Sequence, residues 1–263
     1  MEHETALRLR IFLGLFILFA GWEILAASRR LAGAKAARWG TYAALLLIDF
    51  AGLRLLSLAL PLLAVGAALD AASLGFGLFH QVNLPAWAEF TAALLLLDFV
   101  LWVQHLLTHK IGLLWRFHRV HHADVDMDVA TAMRFHPVEI LASMGLKIGL
   151  IYLLGPAALA VLAFEIVLNG TALFNHANIR LPAAVERLLR LVLVTPDMHR
   201  IHRSIRRAEH DSNYGFALSL WDRLFGTYTA SPKMGQDQMV TGLAWQGKEP
   251  SRLGWSLWLP FRP

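Results

Sequence analysis

Long apolar runs constrain this chain more than any other feature. Residues 11–27, 42–69 and 87–107 are each near or beyond the roughly 20 residues that cross a bilayer as helix. Apolar sequence returns over residues 138–174, broken at Gly155-Pro156. Proline cannot continue the helical hydrogen-bond ladder, so this stretch reads as a hairpin of two shorter membrane helices. The expected fold is therefore all-α: an integral-membrane helical bundle of about four to five spans, with a histidine-rich helical cap. Composition agrees, because 57% of the 263 residues are hydrophobic, only 16% are charged, and mean hydropathy is +0.50. Residues 11–27 precede Arg29, Arg30, Lys35 and Arg38 with no A-x-A cleavage pattern, and read as a retained span rather than a signal peptide.

The net charge of +5 does not point to nucleic acid, since the basic residues flank apolar runs. Residues 29–38, 110–119 and 180–207 are rich in Lys and Arg, whereas residues 71–81 have none. The positive-inside rule makes the former side cytoplasmic and puts the N-terminus outside, although Arg8 and Arg10 run against that placement. The amphipathic residues 183–194 suit the interface. Trp245, Trp255 and Trp258 read as interfacial anchors. Along one domain the regions are N-terminal membrane spans (1–90), a catalytic region (91–230) and a C-terminal tail (231–263).

With no cysteine, any metal must be held by His, Asp or Glu, and there are twelve histidines. His105 and His109 form H-x3-H at one end of a span, on one helical face. His118, His121 and His122 form H-x2-HH in an otherwise polar loop over residues 108–137, His199 and His202 form H-x2-H, and His176 ends the apolar hairpin. An isolated histidine is usually a satisfied structural residue. Eight at helical spacings on one membrane face are instead the number that two octahedral ions with open positions require. Asp98 and Trp102 continue the face of His105 and His109, and Glu165 and Asn169 repeat those offsets below His176. Both acids are candidates to accept ring N–H bonds from the histidines, with structural helix–helix contacts the equal alternative. Arg54 and Lys147, inside apolar runs, are expected to snorkel or to pair with Asp49 or Glu165.

HLLTH, HRVHH, RFHPVE, FNHANIRLP, TPDMHRIHR and DSNYGFALSLWDRLFGTY together resemble the fatty acid hydroxylase/sterol desaturase superfamily, in its bacterial form, over residues 94–228. The resemblance implies a membrane-bound non-haem di-iron oxidoreductase that uses O2 to hydroxylate or desaturate a lipid arriving from the bilayer. The resemblance also allows zinc in place of the two irons in purified protein. It further implies metal ligands His105, His109, His118, His121, His122, His176, His199 and His202 on the cytoplasmic face of a bacterial inner membrane. Electrons must come from a separate donor protein, since no haem, flavin or dinucleotide motif is present.

The departure is Arg203, where relatives commonly carry another histidine; a guanidinium does not ligate metals. His136 or His210 could substitute, or water or a carboxylate. His136, next to Pro137 and Glu139, is favoured as an orienting residue, and His210 and Asp211 are further candidates around the site. Tyr214, Trp221, Phe225 and Tyr228 either cap the site or form an ordinary packing cluster. Competing readings are a membrane zinc hydrolase, which would need an H-E-x-x-H-type carboxylate that is absent, and a catalytically altered metal-binding scaffold.

Overall fold

The computed structural model describes residues 2–59, 63–247 and 249–262. The helices are α1 (Glu2–Ala26), α2 (Lys35–Ala59), α3 (Ala64–Ser73), α4 (Leu78–Gln81), α5 (Ala86–Lys110), α6 (Gly112–His122), α7 (Pro137–Leu154) and α8 (Ala158–His176). After them come α9 (Ala183–Leu189), α10 (Pro196–His202), α11 (Arg207–His210), α12 (Leu220–Leu224) and α13 (Leu253–Trp258). Among the described residues there are isolated β-bridges but no strand, so the fold is all-α.

Five helices, α1, α2, α5, α7 and α8, are long and apolar enough to cross a membrane. They alternate in direction, which gathers the segments after α1, α5 and α8 at one end with the histidines named above; His105 and His109 lie on the last two turns of α5, and His176 ends α8. Their outward faces are apolar, with Ile24 and Leu25 80% and 87% exposed, as lipid contact requires. The α7–α8 hairpin forms as expected. Pro137 opens α7 while the ring of His136 accepts from Val138 N at 3.2 Å, and Gly155 closes it at φ 63°. A Cβ on Gly77 would strike the backbone of Gly155, so glycine is required where these turns cross.

Two expectations need correction. Residues 42–69 are not one span: α2 ends at Ala59, residues 60–62 lie outside the described residues, and α3 is a separate short helix. Ala64, Ala67, Ala68 and Ala71 of α3 are buried against α7 and α8, because small side chains let backbones approach closely. The segment 108–137 is largely ordered, since α6 carries HRVHH on a helix and a 3-10 turn follows at Val129–Met133.

The histidine end is stapled by buried charge. Arg38 of α2 binds Asp124 at 3.0 Å and Asp128 at 3.0 Å, and Glu23 of α1 accepts from Val129 N and Asn178 N at 2.6 and 2.8 Å. Residues 249–262 pack against the histidine end. Arg119 donates to the carbonyls of Leu259 and Arg262, and Arg134 to that of Pro250. Trp255 is buried with Val120, Ala123 and Leu259 and is therefore a core residue, whereas Trp245 and Trp258 remain exposed.

Deeper in the bundle, Glu165 of α8 pairs with Lys147 of α7 at 2.7 Å and Arg8 of α1 at 2.8 Å. That pairing gives Arg8 a buried carboxylate partner within the bundle. Arg54 is exposed on the bundle exterior and, among the described residues, forms no ion pair with Asp49.

Candidate metal centre

The eight histidines converge, but into two unequal groups. His105, His109, His118, His122 and His202 form one, and His121, His176 and His199 form the other; within each, one ligand atom per residue lies within 4.8 Å of the rest. Helical geometry explains the split. His118 and His122 are four residues apart and share a face of α6, while His121 is rotated about 100° from His122 and points to the second group. On α10, His199 and His202 divide in the same way, with ring centroids 5.3 Å apart, so the groups adjoin.

Most of these rings are held from behind. The Nδ1 of His105 donates to the carbonyl of Tyr214 at 2.7 Å, that of His202 to Ser212 at 2.7 Å, that of His121 to Arg134 at 3.0 Å and that of His176 to Ala172 at 2.7 Å. His118 Nδ1 donates to the Glu139 carboxylate at 2.6 Å. A carbonyl accepts only, so these partners put the proton on Nδ1 and leave the Nε2 lone pair facing inward.

That arrangement fits a cation. His105 Nε2 and His118 Nε2 are 3.1 Å apart, as are His121 Nε2 and His176 Nε2, yet all four have their proton on the other nitrogen. Two lone pairs at that distance repel unless a positive ion lies between them. The spacing is that of two neighbouring ligands each about 2.1 Å from a common ion. The Nε2 atoms of His109, His122 and His202 are also buried without a partner. Burial pushes the imidazoles of His121, His122, His199 and His202 well below the usual histidine range, and the Arg203 charge adds to this at His121 and His122. They are neutral, the form that binds metal.

The surrounding residues depart from the sequence expectations. Asp98 accepts from the indole Nε1 of Trp221 at 2.8 Å, and Glu165 is occupied by Lys147 and Arg8, so neither carboxylate reaches a histidine. Asn169 donates to the carbonyl of Glu165 within α8. His136 caps α7 and its other nitrogen lies 3.2 Å from the carbonyl of Leu257, outside both groups. His210 stacks on Trp115 at 5.4 Å and forms a peripheral set with His109 and Asp211, whose carboxylate is 3.6 Å from His109 Nδ1 and 3.1 Å from Lys110. Neither His136 nor His210 replaces the histidine expected at position 203.

The residues sequence reasoning missed are Glu139 and Trp115. Glu139 sits in the first turn of α7, 21 residues from its partner His118, and only its place in RFHPVE marked it. Trp115, half-buried, lies against His109, His122 and His210 at ring distances of 5.0, 5.2 and 5.4 Å.

The aromatic cluster clasps the site. Asp222 of α12 accepts from the indole of Trp102 at 3.1 Å and from Tyr214 N and Gly215 N at 2.8 Å each, while Trp221 answers Asp98 on α5. Phe225 stacks on Trp102 at 4.9 Å. Tyr214 is buried with its ring 5.2 Å from His109 and 5.7 Å from His202, so it lines the site, whereas Tyr228 packs on Arg223.

The profile of the fatty acid hydroxylase family matches residues 90–227, which include all eight histidines. Among curated proteins, the chain is 32% identical to "Ornithine lipid hydroxylase OlsE" of Rhizobium tropici over 62% of this chain and 49% of that protein. It is 30% identical to "Alkylglycerol monooxygenase" of Homo sapiens over 63% of this chain and 36% of that one. It is also 31% identical to "Cholesterol 25-hydroxylase" of Homo sapiens over 51% and 48%. The chain thus spans about half or less of the length of these relatives. No solved structure matches it. With a profile covering more than half of its residues and the histidines gathered as described, this chain belongs to the fatty acid hydroxylase family.

Proposed function

We propose that the chain is a membrane-bound lipid hydroxylase whose two histidine groups hold a pair of iron ions and which uses O2 to insert oxygen into a lipid entering from the bilayer. The observation that carries this reading is the set of Nε2 lone pairs facing one another at 3.1 Å inside a membrane bundle. The named relatives act on ornithine lipids, alkylglycerols and cholesterol by hydroxylation or monooxygenation, which favours hydroxylation over desaturation. The eight histidines are the proposed ligands, within a catalytic region of residues 91–230 supported by the spans of residues 1–90 and closed by residues 231–263. The basic end of the bundle is proposed to face the cytoplasm of a bacterial inner membrane, where a separate protein delivers electrons.

When bound, the irons supply O2 activation. The chain's own residues do the rest. The carbonyls of Tyr214, Ser212, Arg134 and Ala172, with Glu139, fix ring orientation before metal arrives, which lowers the cost of assembling the site. Phe216, whose ring lies 4.9 Å from His105, joins the apolar cluster of α3, α5, α7 and α8 to the site and excludes water from it.

Comparing lipids of cells with and without the gene, in air and without O2, tests the activity. A product one oxygen heavier that requires both O2 and the intact gene is expected, with His121→Ala removing it while the protein still inserts in the membrane. A single zinc per chain accompanied by ester hydrolysis would overturn the proposal.

A further inference from the structure

Arg203 raises a problem that the proposed metal site leaves unsolved. It is 1% exposed, and a guanidinium is charged at neutral pH. Its Nη2 donates to the carbonyl of His121, while Nε and Nη1 are buried with no partner. Such donors are rarely left without an acceptor. It is therefore tied to the backbone of His121 in the smaller histidine group and follows α10, the helix that carries His199 of the same group. Asp124 does not serve as its acceptor, because the Asp124 oxygens accept from Arg38, Tyr42 and Thr131.

The two groups therefore differ in what they lack. Five imidazoles nearly complete an octahedral ion. Three imidazoles do not, and the guanidinium adds repulsion toward any cation placed among them. A neutral water would relieve the coordination shortage but not the repulsion. An anion answers both, since arginine binds carboxylate-type oxygens through charge-assisted hydrogen bonds.

We propose that Arg203 anchors a small free oxyanion of the carboxylate class, such as bicarbonate or formate, that completes the three-histidine site in place of a fourth histidine. The proposal rests on the two groups holding metal ions. It implies that the second ion is anion-dependent and the first is not.

The test strips metal from the purified full-length protein in detergent and titrates it with zinc in bicarbonate-free buffer, then with added bicarbonate, counting ions per chain by mass spectrometry. The expected result is one tightly held ion without the anion and two with it, the second gaining roughly 10–100-fold in affinity. Arg203→His is expected to hold both ions without bicarbonate. Equal affinity for the second ion with and without bicarbonate or formate would overturn the oxyanion, and that measurement needs no variant to fold. No tight ion under either condition would overturn the metal reading of both groups, a different outcome from one ion that ignores the anion.

Discussion

The two histidine groups are built from overlapping helices yet supported differently. The five-histidine group has three rings fixed through Nδ1, by Tyr214, Glu139 and Ser212, two of these partners lying in the segment that follows α10. The three-histidine group has two, fixed by carbonyls of Arg134 and Ala172, and Arg203 stands alongside; each group keeps one buried Nδ1 without a partner, that of His109 in the larger and that of His199 in the smaller. Redundancy in one and economy in the other imply that the same substitution has unequal effects. Losing one of five ligands leaves a plausible four-coordinate site, whereas losing one of three leaves a pair that cannot retain an ion.

The strongest way to break that contrast is His199→Ala against His202→Ala. We expect His199→Ala to lower affinity for one ion by on the order of 100-fold or more, and His202→Ala to lower affinity for the other by roughly 10–100-fold, in line with losses seen when metal shells are disturbed. Metal content of each variant, with helical content unchanged, is the measurement. Equal losses would show that the groups act as one shared site rather than two.

A narrower test targets the single carboxylate support. Glu139→Gln keeps the shape of the side chain but replaces the anion that accepts from His118 Nδ1. Metal affinity of the five-histidine group should fall roughly 10-fold, the low end for such supporting residues, with the three-histidine group untouched. Loss from the three-histidine group instead would mean that Glu139 supports α6 as a whole.

How much of this was legible in the sequence follows from what kind of partner each residue uses. Helical spacing marked seven of the eight histidines as clusters, with His176 standing alone, but not which group each joins, since the pairs three apart, His118/His121 and His199/His202, divide between the two groups. Most of the supports behind them were invisible, because four of five are backbone carbonyls and carry no residue identity. Glu165 misled for a different reason. It shares the stripe of His176 on α8, but eleven residues along a helix is about 16 Å, so a common face did not mean a common height. Lys147 and Arg8 lie at that height and take it. The five spans were readable from length and apolarity, whereas the break before α3 was not, since alanine-rich sequence stays apolar through a change of element.

The smallest effect expected comes from the clasp that holds the five-histidine group against α5. Trp102→Phe deletes the indole donor to Asp222 but keeps the aromatic stack with Phe225 and Phe99. Asp222 retains Tyr214 N, Gly215 N and the Thr227 hydroxyl, so the loss should be near that of one hydrogen bond, about 1 kcal/mol. Thermal unfolding in detergent measures it. Because Tyr214 both donates its N–H to Asp222 and accepts from His105 through its carbonyl, slackening the clasp should weaken the five-histidine ion slightly and leave the three-histidine ion unchanged. A stability loss with no change in either ion would show that α12 holds the helices together without tuning the site. A larger effect on the three-histidine ion would reverse the asymmetry drawn above.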